Sequence, residues 1–153
     1  MKDHLNCMKK FILYLFLAFS ISQAFAQDGI HLQIKHDKQV IFSATNEDEQ
    51  KNIVTLSSSG FHKNSCYHIF YNEENTVSSK GKWIRTIAFY DEKDNELLKK
   101  QTANLKIEDA ELNKLLLANK TIKIYTWSLP KDPAEAARIR IRRVHLCTIV
   151  LGD

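Results

Sequence analysis

Alternation at period two dominates this chain, and a chain patterned that way folds into strands that bury one face. The clearest run is Trp83 to Tyr90: Trp83, Arg85, Ile87 and Phe89 share one face, and Ile84, Thr86, Ala88 and Tyr90 share the other. Earlier, Ile30, Leu32 and Ile34 alternate with His31, Gln33 and Lys35, and His36-Asp37-Lys38 turns the chain into a second apolar run, Val40 to Ala44. Ile53 to Leu56 is short and β-branched, and Cys66 to Tyr71 is strand-like by composition. Leu97 to Leu105 reads as the return arm of a hairpin after the turn Asp91 to Asn95, although its first residues also suit a helical turn. Thr121 to Trp127 is another strand, and Arg138 to Leu151 closes the chain as a long one.

One stretch breaks the pattern towards a helix. Leu112, Leu115 and Leu116 follow i, i+3, i+4 spacing within Glu108 to Ala118, acids crowd its start, and Asn119 is a suitable stop. Asp132-Pro133-Ala134-Glu135 predicts one further short turn, with a cap, a proline at the first helical position and an acid at the third. Strands joined by short polar turns, without regular βα alternation, point to a mainly antiparallel β-sandwich of about seven to eight strands crossed by one helix. The alternative is an α+β arrangement, an antiparallel sheet with the helix on one face.

Residues 1–26 read as an address. Lys9 and Lys10 precede an apolar run from Phe11 to Phe19, and the stretch ends in Ala24-Phe25-Ala26, the three-part pattern of a secretory signal peptide. The run is too short for a membrane span, which needs about 20 apolar residues. Cleavage after Ala26 leaves 27–153 as a single β-sandwich domain and removes Cys7. It also removes three lysines (Lys2, Lys9, Lys10) and one acid (Asp3), which lowers the formal net charge from +4 to +2. The expected product is exported, periplasmic or extracellular, with no transmembrane segment and no demand for nucleic acid as a partner.

The most specific chemical pattern is a mirrored pair, Cys66-Tyr67-His68 and His145-Leu146-Cys147. In strands each Cys would share a face with its His, and a common antiparallel register would set Cys66 opposite Cys147 and His68 opposite His145. Three outcomes are open: a Cys66–Cys147 disulfide, suited to an oxidising compartment; a metal held by Cys66, His68, His145 and Cys147; or two buried thiols and two ordinary histidines. No other cofactor is expected.

Arg138, Arg140 and Arg142 would lie on one face of the last strand with Arg143 beside them, as a docking surface for an anionic group or partner. The apolar pattern changes face between Arg142 and Arg143, where a β-bulge would restore it. Tyr125 and Trp127 share a strand face and could stack on a sugar ring. His31 and His36 read as surface histidines. Glu108, Asp109 and Glu111 read as the acids of a helix start.

Composition narrows the function classes. With 44% hydrophobic and 26% charged residues and only three cysteines, the chain is neither disordered nor a disulfide-dense scaffold. Four glycines and the lack of a glycine-flanked nucleophile or phosphate loop argue against the common enzyme classes. The leading expectation is a non-enzymatic extracytoplasmic β-domain that binds another macromolecule, as an envelope accessory or a toxin inhibitor. The alternatives are a glycan or small-ligand module and a metal-dependent enzyme.

Overall fold

The alternation resolves into two sheets packed face to face. The computed structural model describes residues 32–72 and 82–152, so the expected signal segment and its cleavage site lie outside the described residues. Within them are β1 (Leu32–His36), β2 (Gln39–Ala44), β3 (Ile53–Ser57), β4 (Cys66–Tyr71), β5 (Trp83–Tyr90), β6 (Glu96–Lys100), β7 (Asn104–Glu108), β8 (Thr121–Pro130) and β9 (Val144–Gly152). Helix α1 (Asp109–Asn119) joins β7 to β8, and a single turn, α2 (Pro133–Ala136), follows β8. One sheet has the order β2-β1-β4-β7 and the other β3-β9-β8-β5-β6. Among the described residues no helix is long and apolar enough to cross a membrane.

The mainly β sandwich with one crossing helix is as expected, with three refinements. First, the hairpin arm expected over Leu97 to Leu105 is two strands. β6 pairs with β5 in the five-stranded sheet, and after a break at 101–103 the chain crosses to pair β7 with β4 in the other. Second, the sheets are not purely antiparallel, because β3 runs parallel to β9. Third, the last strand begins at Val144 rather than Arg138, and 138–143 forms an irregular connection.

Each inward face supplies the core. Ile34, Ile69, Leu105 and Ile107 come from the four-stranded sheet, and Ile87, Phe89, Ile122, Ile124 and Ile149 from the five-stranded one. Leu112 and Leu116 of α1, one turn apart, reach the same cluster. The helix starts one residue later than its pattern predicts, with Glu108 in extended conformation before it. It stops where Lys120 turns to positive φ and its N–H donates to Leu116 O at 2.7 Å. The short turn forms as its sequence requires: Asp132 Oδ1 accepts the Ala134 N–H at 2.8 Å, with Pro133 at the start.

The pairing expected between the Cys66 strand and the C-terminal strand does not occur. β4 lies between β1 and β7, whereas β9 lies between β3 and β8 in the opposite sheet. A constant sum of residue numbers is necessary for antiparallel pairing but not sufficient, and sequence-adjacent strands usually claim each other first. Here β8 takes one side of β9.

Candidate functional site

The outward face of the five-stranded sheet carries an apolar cluster of its own. On β5, Ile87 and Phe89 enter the core, so Ala88 and Tyr90 must point the other way; on β8, Ile122 and Ile124 face inward, so Tyr125, Trp127 and Leu129 face outward. Ala88, Tyr90 and Trp127 are buried together there, with Tyr125 and Leu129 packed against them. The register sets Ala88 opposite Tyr125 and Thr86 opposite Trp127, which makes Ala88 the floor between larger rings. Tyr90 and Tyr125 meet edge to face at 5.7 Å between centroids.

Cations cover this cluster. The Arg143 guanidinium lies 5.1 Å from the Tyr90 ring centroid and 5.2 Å from that of Tyr125, and Lys99 Nζ lies 5.6 Å from the Trp127 ring. Tyr90 donates its hydroxyl to Glu96 Oε2 at 3.2 Å, and Arg143 lies 3.6 Å from Asp94. Burial raises the Tyr125 phenol above its ordinary range, helped by Glu49 and Asp94 and opposed by Arg143. Sequence reasoning placed Tyr125 and Trp127 on one face, and the structure adds Tyr90. It also closes the platform, since Trp127 is only 8% exposed and has a lysine over its ring.

The four arginines do not form one face. They precede β9, where no pleat aligns them. Arg142 pairs with Glu47 at 2.8 Å while remaining largely in solvent, a contact worth little on its own. Arg143 turns to the tyrosines, and Arg138 and Arg140 are exposed. The β-bulge expected between Arg142 and Arg143 lies instead at Leu146: Tyr125 pairs with His145 and Ile124 with Cys147, which leaves Leu146 as the extra residue.

That bulge also separates the second Cys/His pair. With one residue inserted between them, His145 and Cys147 face opposite sides of the sheet. Cys147 is fully buried in the core, where desolvation pushes its thiol up to about 12, and His145 stands beside Tyr125 on the outward face. Cys66 and His68 do share a face, on the outward side of the other sheet, with Sγ 3.2 Å from Nε2. Cys66 and Cys147 are free thiols, so the expected disulfide is not formed, and the four residues proposed as metal ligands sit in different sheets. Among the described residues no three His, Cys, Asp or Glu side chains are placed to hold a metal ion.

His145 has a pH consequence. Its Nε2 lies 3.0 Å from Thr148 Oγ1, while its buried Nδ1 has no partner among the described residues. Desolvation lowers its pKa from the ordinary 6.5, with Glu49 opposing and Lys123 assisting. The unfolded chain therefore binds this proton more readily than the folded one. The stability from neutral His145 is whole above pH 6.5, is lost as pH falls through 6.5, and levels off below the folded value. Urea unfolding at pH 7.5 and 5.5 should show a smaller acid loss for His145→Gln than for the natural protein; equal losses would remove His145 as the cause.

A second polar site escaped the sequence reading. Asp109, 1% exposed, accepts from His36 Nε2 and from the His62 N–H through Oδ2, both at 2.9 Å, and Oδ1 has no partner among the described residues. The His36 ring lies flat on Tyr67 at 4.4 Å between centroids, with His62 stacked beyond it at 6.1 Å. Burial pushes the Tyr67 phenol up to about 12, reinforced by the charges of Asp109 and Asp37. The signal was the strand period itself. His36 is in phase with Leu32 and Ile34, Tyr67 with Ile69, and Asp109 with Leu105 and Ile107, so all three occupy inward positions. This group clamps the end of the sandwich, joining β1, the 61–65 loop and the start of α1.

Comparison with known proteins finds no matching family model, no similar curated protein and no similar solved structure. The class defined by the fold is a β-rich two-sheet sandwich with one main helix, and the functional reading rests on its surfaces.

Proposed function

We propose that this protein is an exported, non-enzymatic β-sandwich that binds another protein through the outward face of its five-stranded sheet. Export rests on the segment at residues 1–26. The binding reading rests on one observation: Tyr90, Tyr125, Trp127 and Arg143 form a cluster apart from the core, on a sheet face that is normally given to polar residues. Tyrosine, tryptophan and arginine are the residues that most often dominate binding energy at protein interfaces. Arg143 already lies across two rings, so little ordering is needed before it meets a partner's carboxylate or carbonyl.

The test is capture in the native setting. Tagged protein would be crosslinked in intact cell envelopes and culture fluid, and the recovered partner titrated with natural protein, with Tyr125→Ala/Arg143→Ala, and with Lys106→Ala on the other sheet as control. The double variant should bind at least about 30-fold more weakly, corresponding to about 2 kcal/mol at a hot spot. Undiminished binding by the double variant would overturn the assignment of the face.

The glycan reading keeps one supporting observation, the shared face of Tyr125 and Trp127. It requires Lys99 to leave the Trp127 ring. In a Trp83→Phe background, Trp127 fluorescence titrated with cell-wall sugars would shift if that happens and stay constant if it does not.

A further inference from the structure

On the opposite side of the molecule, the outward face of the four-stranded sheet brings together a thiol, a base and two cations. Cys66 and His68 are two apart on β4 and point outward because Tyr67 and Ile69 point into the core. Their Sγ and Nε2 atoms are 3.2 Å apart, within reach of proton transfer. Register places His68 directly between Lys35 of β1 and Lys106 of β7. Neither lysine has an acid partner among the described residues, and Lys35 instead lies over the Phe70 ring at 5.2 Å. The acids near the thiol are Asp37, whose Oδ1 is 3.8 Å from Sγ and accepts the Cys66 N–H at 2.9 Å, and Glu108, opposite Cys66 in the register. These two hold the sulfur end negative, while the lysine row makes the His68 end positive.

We propose that Cys66 is a site of reversible thiol–disulfide exchange with a low-molecular-weight disulfide that carries carboxylates, with His68 as its base and Lys35 and Lys106 as the anion-binding pair. His68 Nε2 takes the Cys66 thiol proton, and the sulfur attacks one sulfur of the disulfide. The new S–S bond forms as the old one breaks, and the departing thiolate takes the proton from His68. The Cys66 sulfur is oxidised, the released sulfur is reduced, and the disulfide is the only oxidant required. Cys147 serves as an internal control, since it is fully buried and no base lies beside it among the described residues. This chemistry is independent of the aromatic face on the other sheet.

The experiment uses the full chain carrying Cys7→Ser, so that Cys66 and Cys147 are its two thiols, reduced and desalted, exposed separately to oxidised glutathione (anionic) and to cystamine (cationic). Intact mass gives the rate and peptide mapping gives the site. Glutathione should add at Cys66 and leave Cys147 free, and His68→Asn should slow both reagents about tenfold or more. Lys35→Gln/Lys106→Gln should slow glutathione addition severalfold while leaving cystamine unchanged or faster. Prior modification of Cys147, or an unchanged rate in His68→Asn, overturns the exchange site. Equal slowing of both reagents in the lysine variant overturns the anion pair.

Discussion

Asp109→Ala should lower the free energy of unfolding by about 3 kcal/mol, the range for breaking one side of a buried hydrogen-bonded pair. The carboxylate ties α1 to both β1 and the 61–65 loop, through His36 Nε2 and the His62 N–H. Alanine leaves His62 N–H without its acceptor and His36 without its anchor, and it removes a negative charge from the first turn of α1. Asp109→Asn keeps one acceptor oxygen and should cost less. His36→Ala removes one contact and exposes the Tyr67 ring, so it too should cost less than Asp109→Ala. Because the two residues share one bond, the double variant should be less destabilised than the sum of the singles. Urea unfolding curves with a common slope measure all four. A change below about 0.5 kcal/mol for Asp109→Ala would place it among ordinary surface substitutions and dismiss the clamp.

The clamp also shows what alternation does and does not reveal. Period two assigns a face to each residue whatever its polarity, and on that rule His36 and Asp109 were inward from the start. By residue type they read instead as a surface histidine and a helix-start acid, because a polar side chain at an inward position looks like the edge of a pattern rather than part of it. The same rule set Tyr125 beside Trp127 and located the strands, and i, i+3, i+4 spacing located α1 to within a residue. Alternation says nothing about which strand lies beside which. The assignment of β4 and β9 to different sheets depends on long-range packing that no local pattern encodes. The bulge at Leu146 is legible only in part: Leu146, Cys147 and Ile149 are all core residues, and no strict alternation buries both 146 and 147. A single inserted residue there turned His145 away from Cys147. The arginine series misleads for a different reason, since alternating Arg and Ile imitates a strand in a segment that forms no strand.

Phe89→Ala should be the most damaging single change, costing about 3–5 kcal/mol and lowering the melting temperature by roughly 10–20 °C. Phe89 is fully buried in β5, opposite Ile124 on one side and Leu98 on the other, on the inward face of the five-stranded sheet. The close-packed strands around it leave a cavity that cannot fully collapse. Its neighbour Tyr90 points the opposite way and is held by Glu96 and Arg143 rather than by the core. Tyr90→Ala should therefore cost clearly less stability than Phe89→Ala, yet weaken the proposed protein contact, which Phe89→Ala should leave intact at temperatures where that variant is still folded. Thermal unfolding followed by circular dichroism, read beside binding of the captured partner, separates the two faces of one strand. Equal stability losses at 89 and 90 would mean that the outward aromatic cluster is a second structural core, and the binding face would have to be sought elsewhere.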